Sequence, residues 1–130
     1  MESPDAATGG AAVAHVVGPE DTAAALGSGD LPVLGTPRLL AWCEEATVAA
    51  AAPLLAPGET TVGSRVDLAH ERASAVGTQV RVRADLVHRD GRLLRFSVVA
   101  EQEVAGAVVV AGRGEVTRVV VDPARFLARL

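Results

Sequence analysis

The chain has 130 residues, 49% apolar but only 2% aromatic, which suits one domain with a core of small aliphatic side chains and is too short for two ordinary domains. The net charge of -4 and the scattered arginines argue against a nucleic-acid surface, because phosphate binding needs a concentrated basic patch. The single cysteine excludes an intramolecular disulfide. The sequence shows no apolar leader and no long uncharged apolar run, which argues against secretion and a membrane span. We therefore expect a cytoplasmic protein.

The N-terminal segment Met1–Gly10 is small and polar and predicts a flexible tail, so the single domain is expected to cover residues 11–130. A short apolar run, Ala11–Val17, predicts a strand. A helical turn is expected at Ala23–Leu26, and the glycines that follow from Gly27 end it.

A long helix is predicted from Pro37 to about Ala52. Thr36 is the expected N-cap, because its hydroxyl can accept from a free amide of the first turn, and Pro37 loses no needed N–H there. Pro53 ends the helix. Because the helix is apolar nearly all round, it is expected to be enclosed by other structure.

From Thr60 onward the apolar period changes from helical to alternating, which predicts strands. In the first strand, one face is expected to point to the core, with Val62, Ser64, Val66, Leu68 and His70 on it. Asp90-Gly91 and Ala105-Gly106 predict tight hairpin turns. The remaining expected elements are strands at Thr78–Val87, Arg92–Glu103 and Ala107–Val121 and a short helix, Pro123–Leu130, capped by Asp122.

This order of elements predicts an α+β domain in which a curved antiparallel sheet wraps around one long central helix, the hotdog fold. A single copy of such a domain leaves one sheet edge and one flank of the helix open. A homodimer with two sheets joined edge to edge would close both, and we therefore expect a homodimer.

Glu44 is the sharpest chemical signal, because it interrupts an apolar helical stripe. A buried carboxylate needs a raised pKa or a dedicated partner, and either suits a general base or a nucleophile. The alternative is structural: Glu44 reaches solvent at the helix flank or pairs with an arginine such as Arg118. Its neighbour Glu45 is the expected surface residue.

His70 ends an inward-facing set of apolar residues, where an imidazole can exchange a proton near neutral pH. A core histidine satisfied by a backbone carbonyl is the competing interpretation. His88 is expected on the surface beside a turn, and His15 has no partner visible in the sequence. Cys43 is expected to be an inert buried thiol, and no set of metal ligands is credible.

Several segments taken together resemble the fluoroacetyl-CoA thioesterase-like family over roughly residues 11–130. The resemblance rests on the order and spacing of Leu34-Gly35-Thr36-Pro37, Glu44, the segment from Ala52 to Glu59, Gly63, His70, and Thr117-Arg118-Val119-Val120. It implies that the chain hydrolyses an acyl-CoA thioester without a metal or redox cofactor, CoA being part of the substrate.

The resemblance also implies roles for single residues. The catalytic threonine, glutamate and histidine of the family fall on Thr36, Glu44 and His70, and a substrate-contacting glycine and arginine fall on Gly63 and Arg118. Which of the glutamate and the histidine attacks or activates water stays open. The Gly63 amide would help to hold the thioester oxygen.

One departure concerns the lid that precedes the threonine. The fluoroacetate-specific members carry phenylalanines there, whereas Ser28–Gly35 has no aromatic residue. We expect an aliphatic lid of Leu31, Val33 and Leu34 and a small or medium acyl-CoA substrate.

Three other functions are alternatives to thioester hydrolysis. A non-catalytic hotdog module that binds an acyl-CoA or another hydrophobic small molecule is the main alternative. A hotdog hydratase would need an aspartate and a histidine together on the long helix, and Pro37–Ala52 has neither. A purely structural dimerisation domain would leave Glu44 and His70 unexplained.

Overall fold

A computed structural model describes residues 9–130, and within them one antiparallel sheet packs against one long helix. The predicted tail, Met1–Gly10, lies outside the described residues except for its last two. Gly10 belongs to the first strand, which therefore begins one residue before the expected Ala11.

The five strands follow the order β1-β3-β4-β5-β2 across the sheet, and every neighbouring pair is antiparallel. The edge strands are therefore β1 and β2. This is the predicted α+β arrangement. The elements are β1 (Gly10–Val16), α1 (Ala23–Leu26), α2 (Thr36–Ala51), β2 (Thr60–His70), β3 (Gln79–Asp90), β4 (Leu93–Val104), β5 (Ala107–Val121) and α3 (Pro123–Ala128).

The start of α2 differs from the prediction in one respect. Gly35 is the N-cap, without a side-chain capping hydrogen bond, and Thr36 is the first helical residue. The expectation that Thr36 caps the helix is wrong, because its hydroxyl is hydrogen-bonded to the His70 ring instead. At the other end, Ala51 leads into a short 3-10 turn that contains Pro53.

The long helix α2 contacts all five strands and packs most extensively against β1 and β3. Its sheet-facing side is fully buried. The opposite flank is not enclosed in this chain, which corrects the expectation of a fully wrapped helix but agrees with the open flank expected of a single copy. Buried helix residues are Leu39, Trp42, Cys43, Ala46, Thr47, Ala50 and Ala51; exposed ones include Thr36, Pro37, Ala41 and Val48.

Alternation of inward and outward residues in β3 and β4 builds the core. Inward side chains at alternating positions are removed from solvent, while their outward neighbours are polar or half-exposed. Such strands fit a sheet with one covered face. The inward set is Val80, Val82, Ala84, Leu94, Phe96, Val98 and Ala100.

The two hairpin turns follow glycine. Ala105 and Gly106 both have positive φ, 52° and 80°, and join β4 to β5 as predicted. The β3–β4 turn is shifted by one residue from the prediction, since Asp90 pairs with Leu93 and the loop is Gly91-Arg92. Gly91 takes the positive φ of 57° at the first loop position, where glycine carries no steric cost.

Strand β2 contains a bulge at Ser64 that the alternation pattern did not predict. Directly paired residues share a face, so Gly63, opposite the buried Arg118, points inward, whereas Val62, opposite Val119, points outward. Ser64 is exposed. The expectation that Val62 and Ser64 face the core is therefore wrong, because the extra residue shifts the register; Val66, Leu68 and His70 keep the predicted face.

A buried polar cluster fixes the connection between β2 and β3. Gln102 is 5% exposed and lies at the end of an otherwise apolar core. Its side chain accepts from the Ser74 hydroxyl and donates to the Ala73 carbonyl at 3.0 Å. The Ser74 carbonyl in turn accepts from the Leu34 amide at 2.9 Å. The cluster therefore joins three separate segments of the chain.

Replacing Gln102 by leucine is expected to lower the free energy of unfolding by about 1–3 kcal/mol, because the buried Ser74 hydroxyl and the Ala73 carbonyl lose their partner. Urea denaturation followed by circular dichroism measures the change. The adjacent exposed Glu103, changed to glutamine, is the matched control and should change stability little. Equal midpoints for the two variants would show that the cluster adds nothing.

Candidate active site

A cavity of about 260 Å³ opens at the N-terminal end of α2. It lies where the helix, the end of β2 and the segment after α1 meet. Two of the predicted site residues, Thr36 and His70, line it together. The other lining residues are Ala23, Ser28, Val33, Leu34, Glu71, Arg72 and Ala73.

Thr36 and His70 form the polar centre of this cavity. The Thr36 hydroxyl and His70 Nδ1 are hydrogen-bonded at 2.8 Å. Burial lowers the pKa of His70 below the usual 6.5, against a smaller opposing effect of the Arg72 backbone. Nε2 is buried and has no hydrogen-bond partner among the described residues. The ring is therefore neutral at pH 7, with its Nδ1 edge turned to the threonine.

The predicted lid covers this cavity in part. Val33 and Leu34 line it, whereas Leu31 does not and is 65% exposed. The segment is held by backbone bonds on both sides, from the Ala23 amide to the Val33 carbonyl at 2.8 Å and from the Leu34 amide to the Ser74 carbonyl at 2.9 Å. This side of the cavity wall is thus aliphatic and held in place by backbone hydrogen bonds.

The other predicted site residues form a second cluster further along α2. Glu44 Oε2 accepts from Arg118 Nη1 at 3.2 Å. Gly63 is the cross-strand neighbour of Arg118, and a Cβ at this glycine would collide with the Glu44 carboxylate. A larger residue here would therefore push the Glu44 carboxylate out of its present position beside Arg118.

Arg118 is almost fully buried and all three of its nitrogens are used. Nε donates to the Thr61 hydroxyl at 2.8 Å and Nη2 to the Thr61 carbonyl at 3.3 Å, while Nη1 meets Glu44. A guanidinium without water needs such compensation. Thr61 was missed in the sequence, because a threonine on an edge strand carries no distinctive signal.

Glu44 itself is less buried than the sequence pattern predicted. Its side chain is 35% exposed and lies at the edge of the open helix flank. The expected deep burial is wrong, because none of the strands within residues 9–130 covers the stripe that the glutamate shares with Pro37, Ala41 and Val48. The pairing with Arg118, weighed as the structural alternative, is present.

Within one chain the two clusters stand apart. Thr36 and Glu44 are separated by about 12 Å of helix, since each residue adds about 1.5 Å. Gly63 and His70 are separated by about 20 Å along β2. No hydrogen bond or ion pair joins Glu44 to His70 among the described residues. The structure therefore assembles Thr36 with His70, and Glu44 with Gly63 and Arg118, but not the two sets with each other.

The remaining candidates lie elsewhere. His15, on the opposite edge strand β1, stacks on Trp42 with ring centroids 4.7 Å apart and donates to the Glu45 carboxylate. His88 is exposed, as predicted. Burial, and to a lesser extent the nearby Glu44, raise the pKa of Cys43 to about 12, which keeps the thiol neutral and unreactive.

Two features are absent from residues 9–130. No group of three or more acidic, histidine or cysteine side chains is placed to hold a metal ion. None of the helices described has both the length and the apolar character needed to cross a bilayer.

The chain is similar to known thioesterases in sequence and in structure. The family model described as fluoroacetyl-CoA-specific thioesterase matches residues 17–124. A solved fluoroacetyl-CoA thioesterase is 30% identical, with 92% of this chain and 90% of that chain covered and a TM-score of 0.83. A variant of that enzyme has been solved in complex with acetyl-CoA. No curated protein matches the chain significantly.

Two more distant structures agree in fold. A hypothetical protein of Thermus thermophilus, a thioesterase superfamily member, is 28% identical, with 92% of this chain and 85% of that chain covered and a TM-score of 0.83. A hot-dog-like protein of Thermanaerovibrio acidaminovorans is 18% identical, with 92% and 86% covered and a TM-score of 0.80. The predicted hotdog fold is confirmed, and the chain belongs to the fluoroacetyl-CoA-specific thioesterase family.

Proposed function

We propose that this chain hydrolyses thioesters of CoA with small or medium acyl groups to the free acid and CoA. The observation that carries the proposal is the Thr36–His70 hydrogen bond of 2.8 Å, in a cavity that Val33 and Leu34 line on one side. The threonine hydroxyl can bind a reacting group by a hydrogen bond, and the neutral imidazole can accept a proton. The acetyl-CoA complex of the related thioesterase supports an acyl-CoA as the ligand.

The proposed chemistry needs a carboxylate as well as the imidazole. Water adds to the thioester carbonyl, the C–S bond breaks, and the CoA sulfur leaves as a thiolate that takes up a proton. Glu44 either activates the water or attacks the carbonyl itself, with water then hydrolysing the anhydride that forms. Thr36 and His70 orient the reacting group and exchange its proton, and the Gly63 backbone holds the carbonyl oxygen.

A homodimer brings these groups together in the proposal. If the β2 edges of two copies pair antiparallel about an axis near Val66, then His70 of one copy lies opposite the partner's Gly63. The Thr36–His70 pair of each copy would then meet the Glu44–Arg118 cluster of the other. Each dimer would contain two composite sites.

The surfaces of the single chain support this pairing. The free edge of β2 exposes unpaired backbone groups, which are costly to leave open. The uncovered flank of α2 carries Pro37, Ala41 and Val48, with Val48 49% exposed, next to the half-exposed Glu44. One contact would bury the edge, the apolar flank and the carboxylate together.

The acyl group is predicted to be small or medium because the wall residues Ala23, Val33 and Leu34 leave a limited space. The lid has no aromatic residue, so a preference for a fluorinated acyl group is not part of the proposal. We also propose that no metal or redox cofactor takes part, and that the protein acts in the cytoplasm.

Removing either ionisable group is expected to abolish turnover. Glu44→Gln and His70→Asn should each lower kcat/KM by about 100-fold or more, because each removes a group that moves a proton or forms a bond. Release of free thiol from a panel of short and medium acyl-CoAs measures the rate. Intact thioester after incubation with the wild type, seen by mass spectrometry, would favour the non-catalytic binding module.

The chain offers matched controls for these variants. Glu45→Gln changes the adjacent glutamate, which is exposed, and His88→Asn changes an exposed histidine. Both should keep nearly full activity. Unchanged rates in the Glu44 and His70 variants, or equal losses in the controls, would contradict the proposed site.

Mixing two inactive variants tests whether each site uses both subunits. After unfolding and refolding together, Glu44→Gln and His70→Asn should recover about a quarter of the wild-type activity, because half of the dimers would be mixed and each would hold one intact site. Thiol release after mixing provides the measurement. A mixture as inactive as its parents would show that the residues act within one subunit or not at all.

The pH profile should reflect the buried imidazole. The neutral form of His70 is the active one, and its pKa is lowered, so kcat/KM should stay constant at neutral pH and fall as the pH drops through a value below 6.5. Initial rates across pH 4.5–8 give the inflection. His88→Asn should leave it unchanged. An inflection at or above 6.5 would mean that another group controls the rate.

A further inference from the structure

The cavity beside Thr36 and His70 also contains a cation with no assigned role. Arg72 lines it together with those two residues and follows His70 closely in the chain. Its backbone is fixed, since its amide donates to the Ala111 carbonyl at 3.0 Å. Its side chain has no hydrogen bond or ion pair with any of residues 9–130. The guanidinium is thus available to a ligand.

The one acidic residue in the cavity lining does not neutralise Arg72. The carboxylate of Glu71 accepts from Arg113 Nε at 2.8 Å, outside the lining. The other lining residues, apart from His70, are aliphatic or carry hydroxyl groups, as Ser28 and Thr36 do. With His70 neutral, the cavity therefore has a net positive character, which favours an anionic ligand.

The position of Arg72 limits where that anion can be on the substrate. The phosphates of CoA are separated from the thioester carbon by the whole pantetheine arm. Arg72 and His70 line one cavity of about 260 Å³ that is open to solvent, so a pantetheine arm that leaves through the opening carries the phosphates away from Arg72. An anion that reaches Arg72 while the thioester carbon is near Thr36 must belong to the acyl group.

We propose that Arg72 binds a carboxylate at the far end of a short acyl group, so that the preferred substrates are thioesters of short dicarboxylic acids. This inference rests on the proposed thioesterase function. A guanidinium can hold a carboxylate through two parallel hydrogen bonds, which adds direction to the charge attraction. Val33 and Leu34 contact the methylene groups between the carboxylate and the thioester.

The test compares substrates that differ only in the terminal carboxylate: malonyl-CoA with propionyl-CoA, and succinyl-CoA with butyryl-CoA, each corrected for enzyme-free hydrolysis. The wild type should prefer the dicarboxylic member. Arg72→Met should lower kcat/KM for that member by about 10- to 100-fold and change the neutral member little. Arg72→Lys should keep part of the preference, and Arg89→Met, an exposed arginine outside the cavity, should keep all of it.

The outcomes separate this inference from the proposed function. Hydrolysis of neutral acyl-CoAs with no dicarboxylic preference, or an equal loss for both members in Arg72→Met, would overturn the role of Arg72 and leave the thioesterase standing. N-acetylcysteamine thioesters, which lack phosphate, should show the same preference. An Arg72 effect confined to CoA thioesters would assign the anion to CoA and overturn the inference. No hydrolysis of any thioester would end both proposals.

Discussion

The guanidinium of Arg118 joins the long helix to the sheet, and the rest of the site depends on that contact. A buried arginine must be fully compensated, and here a threonine of β2 and the carboxylate of Glu44 share the task. The glycine at position 63 leaves room for this contact, because a Cβ there would displace the Glu44 carboxylate. With the middle of α2 fixed against β2, the first residue of the same helix is brought to His70 at the end of that strand.

Most of the sheet could be predicted from the sequence, because alternation is a local signal and β3 and β4 are covered on one face only. The inward residues Val80, Val82, Leu94 and Phe96 and the Ala105-Gly106 turn illustrate this. The long helix was equally visible from its composition and its flanking prolines. Prediction of the site residues also depended on the family resemblance, because a lone histidine or glutamate on an apolar face has several structural explanations.

The predictions that were wrong share one physical cause. In each case, residues far away in the sequence determine the contacts or the burial of the side chain. Thr36 has the chemistry of a capping residue, but an imidazole on another element competes for its hydroxyl. Glu44 has an apolar helical neighbourhood, but burial depends on what covers the flank, and none of the five described strands does. The contacts of His15 with a tryptophan and a glutamate on the helix could not be predicted from the sequence for the same reason.

The bulge at Ser64 has a consequence for how the chain can vary in length. Gly63 and His70 lie an odd number of positions apart, so in a regular strand the two residues would face opposite sides of the sheet. The additional residue restores a common orientation. Loss of one residue between them would rotate the imidazole toward solvent without replacing any of the proposed site residues. Relatives with a single-residue deletion in this stretch should therefore have lost the proposed activity or moved the bulge elsewhere along β2.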